Sequence, residues 1–129
     1  MNEGRSPAIR VTLMPKDTNV HGTIFGGVLL SHLDLAGAVA ARRHCDRMVT
    51  VKMTEVVSHE PVFVGDLVSF YADVLRIGNT SITVKVTVEA SRHWGAGEAT
   101  KVTEAEIVYV NVDENRCPVP ITRREIAAG

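Results

Sequence analysis

The sequence predicts an α+β fold, with one long central helix wrapped by a curved antiparallel β-sheet. Two observations predict it. A single extended helical period runs from Val28 to His44, and after it the pattern changes to β-rich segments separated by turn residues. One helix has one face to bury, and one face of a long-stranded sheet can cover it. Strands of that length twist strongly, so the sheet is expected to curl around the helix.

Residues 1–7 read as a loose tail, and Ala8 to Met14 as a short strand in which Ile9, Val11 and Leu13 alternate with Arg10 and Thr12. Pro15 to Gly27 (PKDTNVHGTIFGG) is a long loop, with the apolar Ile24 and Phe25 tucked beneath a neighbour. In the helix, Leu29, Leu33, Ala36 and Ala40 recur at spacings of three and four, and no proline interrupts them. Arg42 and Arg43 at its end suit the negative pole of the helix dipole. No capping side chain stands immediately before Val28. Gly26 and Gly27 precede it instead, which leaves backbone N–H groups bare for a ligand.

Beyond the helix, Met48 to Val57 reads as a strand, Ser58 to Asp66 as a turn around Pro61 and Gly65, and Leu67 to Ile77 as a second strand. Gly78-Asn79-Thr80 turns the chain into Ser81 to Ser91. There Ile82, Val84, Val86, Val88 and Ala90 share one face, and Thr83, Lys85, Thr87 and Glu89 the other. That second face is expected to meet solvent or another subunit. Trp94 to Gly97 is a loop, Glu98 to Val112 holds the last strand, and the chain from Asp113 is irregular, with residues 122–129 a loose tail. The whole, residues 1–129, forms one domain.

Composition excludes more than it assigns. Hydrophobic residues make up 45% of the chain, enough for an ordered core, and the formal net charge is −1. Such a balance gives no general attraction to nucleic acid or to anionic membranes. Cys45 and Cys117 lie far apart and outside any C-x-x-C pair, as expected of two free thiols in a reducing compartment. No apolar run approaches the ~20 residues needed to span a bilayer, and Met1 to Arg5 lacks a signal-like stretch, so a cytoplasmic protein is expected. The sequence has no G-x-S-x-G, no phosphate-binding or dinucleotide-binding glycine motif and no H-E-x-x-H spacing. His32, His44, His59 and His93 are scattered and suggest structural or surface roles, with no metal.

Asp34 is the residue that a bland domain would not need. It sits mid-helix beside Leu30, Ser31, Gly37 and Ala38, on a face of apolar or small residues. Aspartate is a poor helix-interior residue, and burying its charge is costly unless it is bonded. A general base or nucleophile in a narrow groove, with Gly37 leaving room for something elongated, accounts for it better than an exposed helix edge. Upstream, Asn19 and His21 lie in N-x-H-G. Asn19 is equally a turn former or a polar group that orients water or a substrate oxygen, and His21 could act as base or donor.

These residues carry a family resemblance. Met14 to Gly27 (MPKDTNVHGTIFGG) and the following Val28 to Ala40 (VLLSHLDLAGAVA) resemble the opening motif and acid-bearing helix of the bacterial hotdog-fold acyl-CoA thioesterases, related to the cytosolic long-chain acyl-CoA hydrolases. Pro61–Asp66, Gly78–Ser81, Lys101–Ala105 and Val108–Asp113 continue it in order, over roughly residues 8 to 121. Val57-Ser58-His59-Glu60 and Thr54-Glu55 depart from the family pattern, which bears on the acyl pocket or coenzyme contacts.

The resemblance implies a hotdog fold, dimers joined edge to edge, often three of them in a hexamer, and acyl-CoA bound at the dimer interface. It implies that Asp34 acts with Asn19 from the other chain, and that a backbone N–H of Gly27, or else Gly26, meets the oxyanion. It places coenzyme A near Asn79, Thr80 and Ser81. Arg76, Lys101, Arg42 and Arg43, with Lys85 and Arg92, are candidate phosphate partners, arginine being suited to bidentate contacts. No cofactor is expected, since coenzyme A belongs to substrate and product. Two rival readings remain: a hotdog enoyl-CoA hydratase or dehydratase using His21 or His32, and an acyl-CoA-binding protein without catalysis.

Overall fold

The computed structural model describes residues 5–24, 26–58, 60–92 and 99–126, the side chains of 55–58 excepted. The expectations for Phe25, His59, His93 and the Trp94 to Gly97 loop lie outside these residues. A short strand β1 (Ile9–Thr12) leads through a loop to the helix α1 (Gly26–Ala41). Four long strands follow: β2 (Met48–Ser58), β3 (Leu67–Ile77), β4 (Ser81–Ser91) and β5 (Thr100–Asn111). All pairings are antiparallel, and the sheet order is β1-β3-β4-β5-β2. This is the one-helix, one-sheet hotdog architecture.

The helix begins two residues earlier than its apolar period suggests and ends three residues sooner. Gly26 and Gly27 form its first turn instead of preceding it. At the other end, the N–H groups of His44 and Cys45 both bond to the Ala41 carbonyl, closing the helix in a tight turn. Arg42 and Arg43 therefore lie just past the last helical residue.

The buried stripe of α1 is Leu33, Ala36, Gly37, Ala40 and Ala41, with Leu29 packed partly against the core. Four of those five are alanine or glycine, so the helix axis can lie close to the sheet. It packs on Val68 and Phe70 of β3, on Ile82, Val84, Val86 and Val88 of β4, and on Ile107 and Tyr109 of β5. Ile24, the loop residue expected to be covered, is buried and held by its N–H to the Val62 carbonyl.

The opposite face of the sheet is less open than its polar sequence suggests. Glu89 is only 3% exposed, and Thr83 and Thr103 are buried as well. Charged side chains are paired here, between strands for Arg76 with Glu106 and Lys85 with Glu104, and within β5 for Lys101 with Glu104. Tyr71 is covered by the Arg5 guanidinium, 5.2 Å from its ring centroid.

The described parts of both tails are anchored, where loose ends were expected. Arg5 pairs with Asp73 at 2.7 Å. Arg123 pairs with Asp46 at 2.7 Å, its carbonyl accepts from His44 Nδ1, and Arg124 donates to the carbonyls of Ile77 and Gly78. Arginine's fork of donors can span several carbonyls at once, which lets a short irregular segment dock.

Two sheet edges remain, and they differ. β1 is four residues long, whereas β2 has eleven and carries register shifts at Thr50/Lys52 and Thr54/Val57. The outer side of α1 shows Leu30, Leu35 and Val39, and β2 itself shows Val51, the bulge residue, at 55% exposure. A long open edge beside exposed apolar side chains favours pairing with another chain.

Leu33→Ala removes the largest fully buried side chain of the helix and is expected to cost about 2–5 kcal/mol. The check is chemical denaturation of the intact assembly at fixed protein concentration.

Candidate active site

Asp34 faces the border between α1 and the β2 edge and is half-buried. Its carboxylate is held by one hydrogen bond, in which the Thr50 hydroxyl donates to Oδ1 at 2.8 Å. Its backbone is held by a second, in which the Tyr109 hydroxyl donates to the Asp34 carbonyl at 2.7 Å. The two hydroxyls come from one rung of the sheet, because Thr50 of β2 stands directly opposite Tyr109 of β5. Opposed residues of an antiparallel pair point to the same face, so both side chains reach the helix.

Burial, and after it the nearby Asp34 carboxylate, push the Tyr109 phenol above its ordinary range. It remains a protonated donor through neutral and moderately alkaline pH. Gly37, one turn beyond Asp34, faces this phenol. A Cβ there would collide with the Tyr109 hydroxyl. The space that glycine leaves is thus filled by tyrosine, not open for an elongated ligand as the sequence suggested. Asp34 itself remains half-buried, so its carboxylate keeps access to the surface.

Asn19 is placed in a tight loop, with its backbone N–H bonded to the Thr23 carbonyl at 2.8 Å and Gly22 in the left-handed region at φ +81. Its Oδ1 accepts from the N–H of His21 at 2.8 Å and of Thr23 at 3.3 Å, and its Nδ2 donates to Thr23 Oγ1 at 3.0 Å. The turn-forming role is therefore real. It consumes the carbonyl oxygen and one amide hydrogen and leaves the second amide hydrogen for another partner. No hydrogen bond joins Asn19 to Asp34 within the chain. Gly26 and Gly27 are exposed at the start of α1, where the helix's own carbonyls cannot reach their N–H groups.

His21 is exposed on the loop, and His32 turns Nδ1 to the Val28 carbonyl at 2.8 Å while its ring stacks on Phe70. Neither bonds to Asp34. Among the described residues no cluster of His, Cys, Asp and Glu could hold a metal ion, and both cysteines are free.

Comparison with known proteins bears on this arrangement directly. The family model of the Thioesterase superfamily matches residues 21–93, which include Asp34, Thr50 and the last residues of the loop before the helix. The chain belongs to the thioesterase superfamily. An acyl-CoA thioester hydrolase of Salmonella typhimurium is 39% identical over 116 residues, 88% of this chain and 87% of that one. Among solved structures, a hexameric hotdog-fold thioesterase of Campylobacter jejuni superposes with a TM-score of 0.87 at 44% identity, covering 94% of this chain and 93% of that one. A hexameric broad-specificity acyl-coenzyme A thioesterase, solved as an aspartate-to-alanine mutant enzyme, gives a TM-score of 0.86 at 36% identity, with 92% of this chain and 87% of that one covered.

The basic residues singled out in this thioesterase-superfamily chain do not gather at one place. Lys101 stands opposite Glu89, and Ser81 opposite Val110, so nine residues of β5, about 30 Å, separate Lys101 from the Asn79–Ser81 turn. One chain cannot bring both to one group of phosphates. Lys101 is also paired with Glu104 at 2.6 Å, Lys85 with the same carboxylate at 3.6 Å, and Arg92 with the buried Asp66 at 3.3 Å. Arg76 lies on the sheet face away from α1, in contact with Glu106 at 3.9 Å.

Arg42 and Arg43 are exposed, and their side chains make no hydrogen bond or ion pair among the described residues. Arg43 lines a groove of about 840 Å³ with His44, Asp73, Arg123 and Arg124. Arg124 in turn touches the carbonyls just before the Asn79–Ser81 turn, so this turn and Arg43 share one end of the molecule. Asn79 and Thr80 there use their carbonyls to hold Ile121 and Asn111.

Sequence reasoning missed Thr50 and Tyr109. The signal available was weak: each is one hydroxyl residue in a strand of mixed apolar and polar residues, and nothing local reveals its partner.

Two outcomes follow. Thr50→Val keeps the shape and removes the hydroxyl, and should lower turnover about tenfold through misplacement of Asp34, with little loss of stability; steady-state kcat and thermal unfolding check it. Lys101, by hydrogen bonding to Glu104, holds that carboxyl below the usual glutamate range. Its stabilisation is complete above that range and lost as pH falls through the depressed value. Glu104→Gln should therefore melt slightly below the wild type at neutral pH, and the difference should shrink as pH falls below the usual glutamate range, as thermal unfolding across pH would show.

Proposed function

We propose that this protein hydrolyses the thioester of fatty acyl-coenzyme A to free acid and coenzyme A, at sites formed between chains of a homo-oligomer. The observation that carries the reading is Asp34: a half-buried helix carboxylate fixed by Thr50, a residue of the edge strand β2. Likeness to acyl-CoA thioester hydrolases and hexameric thioesterases over nearly the whole chain supports it. The assembly is a dimer at least, and three dimers in a hexamer agree with the hexameric relatives.

Thioester hydrolysis needs an activated water or other nucleophile, stabilisation of the oxyanion and a held substrate. Asp34 removes a proton from water, which attacks the carbonyl; attack by the carboxylate itself, through an anhydride, is the competing route. The N–H of Gly27, or of Gly26, at the positive end of α1 receives the developing oxyanion. Coenzyme A leaves as a thiolate, a good leaving group, so a full triad is not required. Asn19 of the other chain supplies its remaining amide hydrogen to water or to the substrate oxygen. Arg42, Arg43 and the turn Asn79 to Ser81 are the better candidates for coenzyme contacts. Arg76 and Lys101 serve ion pairs on the outer sheet face. The absence of a hydrogen bond from His21 or His32 to Asp34 weighs against a hydratase. Two free thiols suit a reducing, cytoplasmic location. No helix among the described residues is long and apolar enough to cross a membrane.

A panel of saturated acyl-CoA esters read by free-thiol release should show turnover, with no preference for an aryl ester. Binding without thiol release would overturn the reading. Asp34→Ala should lower turnover about 10²–10⁴-fold with the oligomer intact in sedimentation, and Asn19→Ala should lower it strongly. Mixing the two inactive variants under subunit exchange should restore about a quarter of wild-type activity, because half the dimers are mixed and each then has one good site of two. No recovery after verified exchange would show that the two residues do not serve one site from opposite chains.

A further inference from the structure

We infer that Tyr109 is a positioning residue for this hydrolysis, setting the place of Asp34 through its backbone without touching substrate. The inference rests on the reading of Asp34 as the base. The Tyr109 hydroxyl donates to the Asp34 carbonyl at 2.7 Å. A carbonyl in mid-helix already accepts from the residue four positions on, so the phenol is a second donor, arriving from another element. It ties one turn of α1 to β5 at the residue that carries the carboxylate.

The contact is built from both sides. Tyr109 is 1% exposed and among the largest fully buried side chains, in a place where a phenyl ring would fill the apolar volume equally well. Gly37 is buried in the helix interior, a position glycine disfavours, and any side chain there would strike the Tyr109 hydroxyl. The register adds the third element. Thr50 and Tyr109 form one cross-strand pair, and the pair grips a single residue, with Thr50 on the carboxylate and Tyr109 on the carbonyl. Two points of attachment fix the carboxylate's position and its direction. With the phenol removed, the helix turn can shift relative to β2, and the Thr50 bond alone must locate the base.

The test is kinetic. Tyr109→Phe should lower kcat about tenfold and leave KM within about twofold, because an error in placing the base acts on the chemical step. Gly37→Ala, with the phenol intact, should lower kcat similarly, since the hydroxyl can no longer seat. In the Tyr109→Phe background the same added methyl meets ring carbon Cζ at 3.1 Å and Ile107 Cδ1 at 3.3 Å, a smaller intrusion. The double variant should therefore be no slower than either single one. Val88→Ala, six residues along β4 from Ile82, the partner of Tyr109, serves as the control for lost stability and should keep wild-type kcat.

Wild-type kcat in Tyr109→Phe, beside an inactive Asp34→Ala, would overturn the inference and leave the base in place. A rise in KM at constant kcat would overturn it too, as would an equal fall of kcat in Val88→Ala. Undiminished turnover in Asp34→Ala would instead remove the reading on which the inference stands. If Tyr109→Phe does not fold, Gly37→Ala decides alone, with wild-type kcat there overturning the inference.

Discussion

The close seating of α1 on the sheet governs the rest of this molecule. One helix must cover one face of five strands, and its buried stripe is made almost wholly of alanine and glycine around Leu33. Small side chains bring the helix backbone near enough for Tyr109 to reach a carbonyl on it. A helix with leucine or isoleucine at Gly37 or Ala40 would ride higher, and the hydroxyl would fall short. The same approach brings Asp34 to the border of the sheet, within a hydrogen bond of Thr50. Core packing and site geometry are therefore one arrangement, and large changes in the buried stripe alter both.

That arrangement also explains how a carboxylate is tolerated mid-helix. Asp34 is not fully buried, so its charge keeps access to water, and the Thr50 hydroxyl offsets part of the desolvation. Its bond to Thr50 places it beside the long β2 edge, where another chain can approach. The bulge in β2 leaves Val51 unpaired and exposed, and α1 exposes Leu30 and Leu35. Exposed apolar side chains on the helix and on an unpaired strand suit an interface better than a solvated surface.

Electrostatics in the chain are mostly local. Four of the basic side chains that the sequence offered as phosphate partners are paired with acids of the same chain: Arg76, Lys85, Arg92 and Lys101. Arg42 and Arg43, just beyond the helix, escape this: the nearby acids Asp73 and Asp46 are paired with Arg5 and Arg123 instead. A nearly neutral net charge conceals this division. Paired charges on the outer sheet face fix strands to one another, whereas Arg43 beside the tail groove remains available.

The sequence by itself determined the elements. β3 and β4 lie where alternation and the Gly78-Asn79-Thr80 turn place them, because period and turn chemistry are local properties. Asp34 stood out for the same reason: a helix and its wrong residue are visible within a few positions. The helix start was misplaced by two residues, since Gly26 and Gly27 carry no apolar period although the first turn accepts them. The tertiary structure alone decided what surrounds the acid. Thr50 and Tyr109 lie 16 and 75 residues from it along the chain, and strand register with the helix's height above the sheet unites them. It likewise decided which cations are spent, because Lys101 and the Asn79–Ser81 turn stand at opposite ends of a sheet whose length no local pattern records. Non-local pairing follows from how strands stack, and a linear sequence carries that information only through the packing of the whole chain.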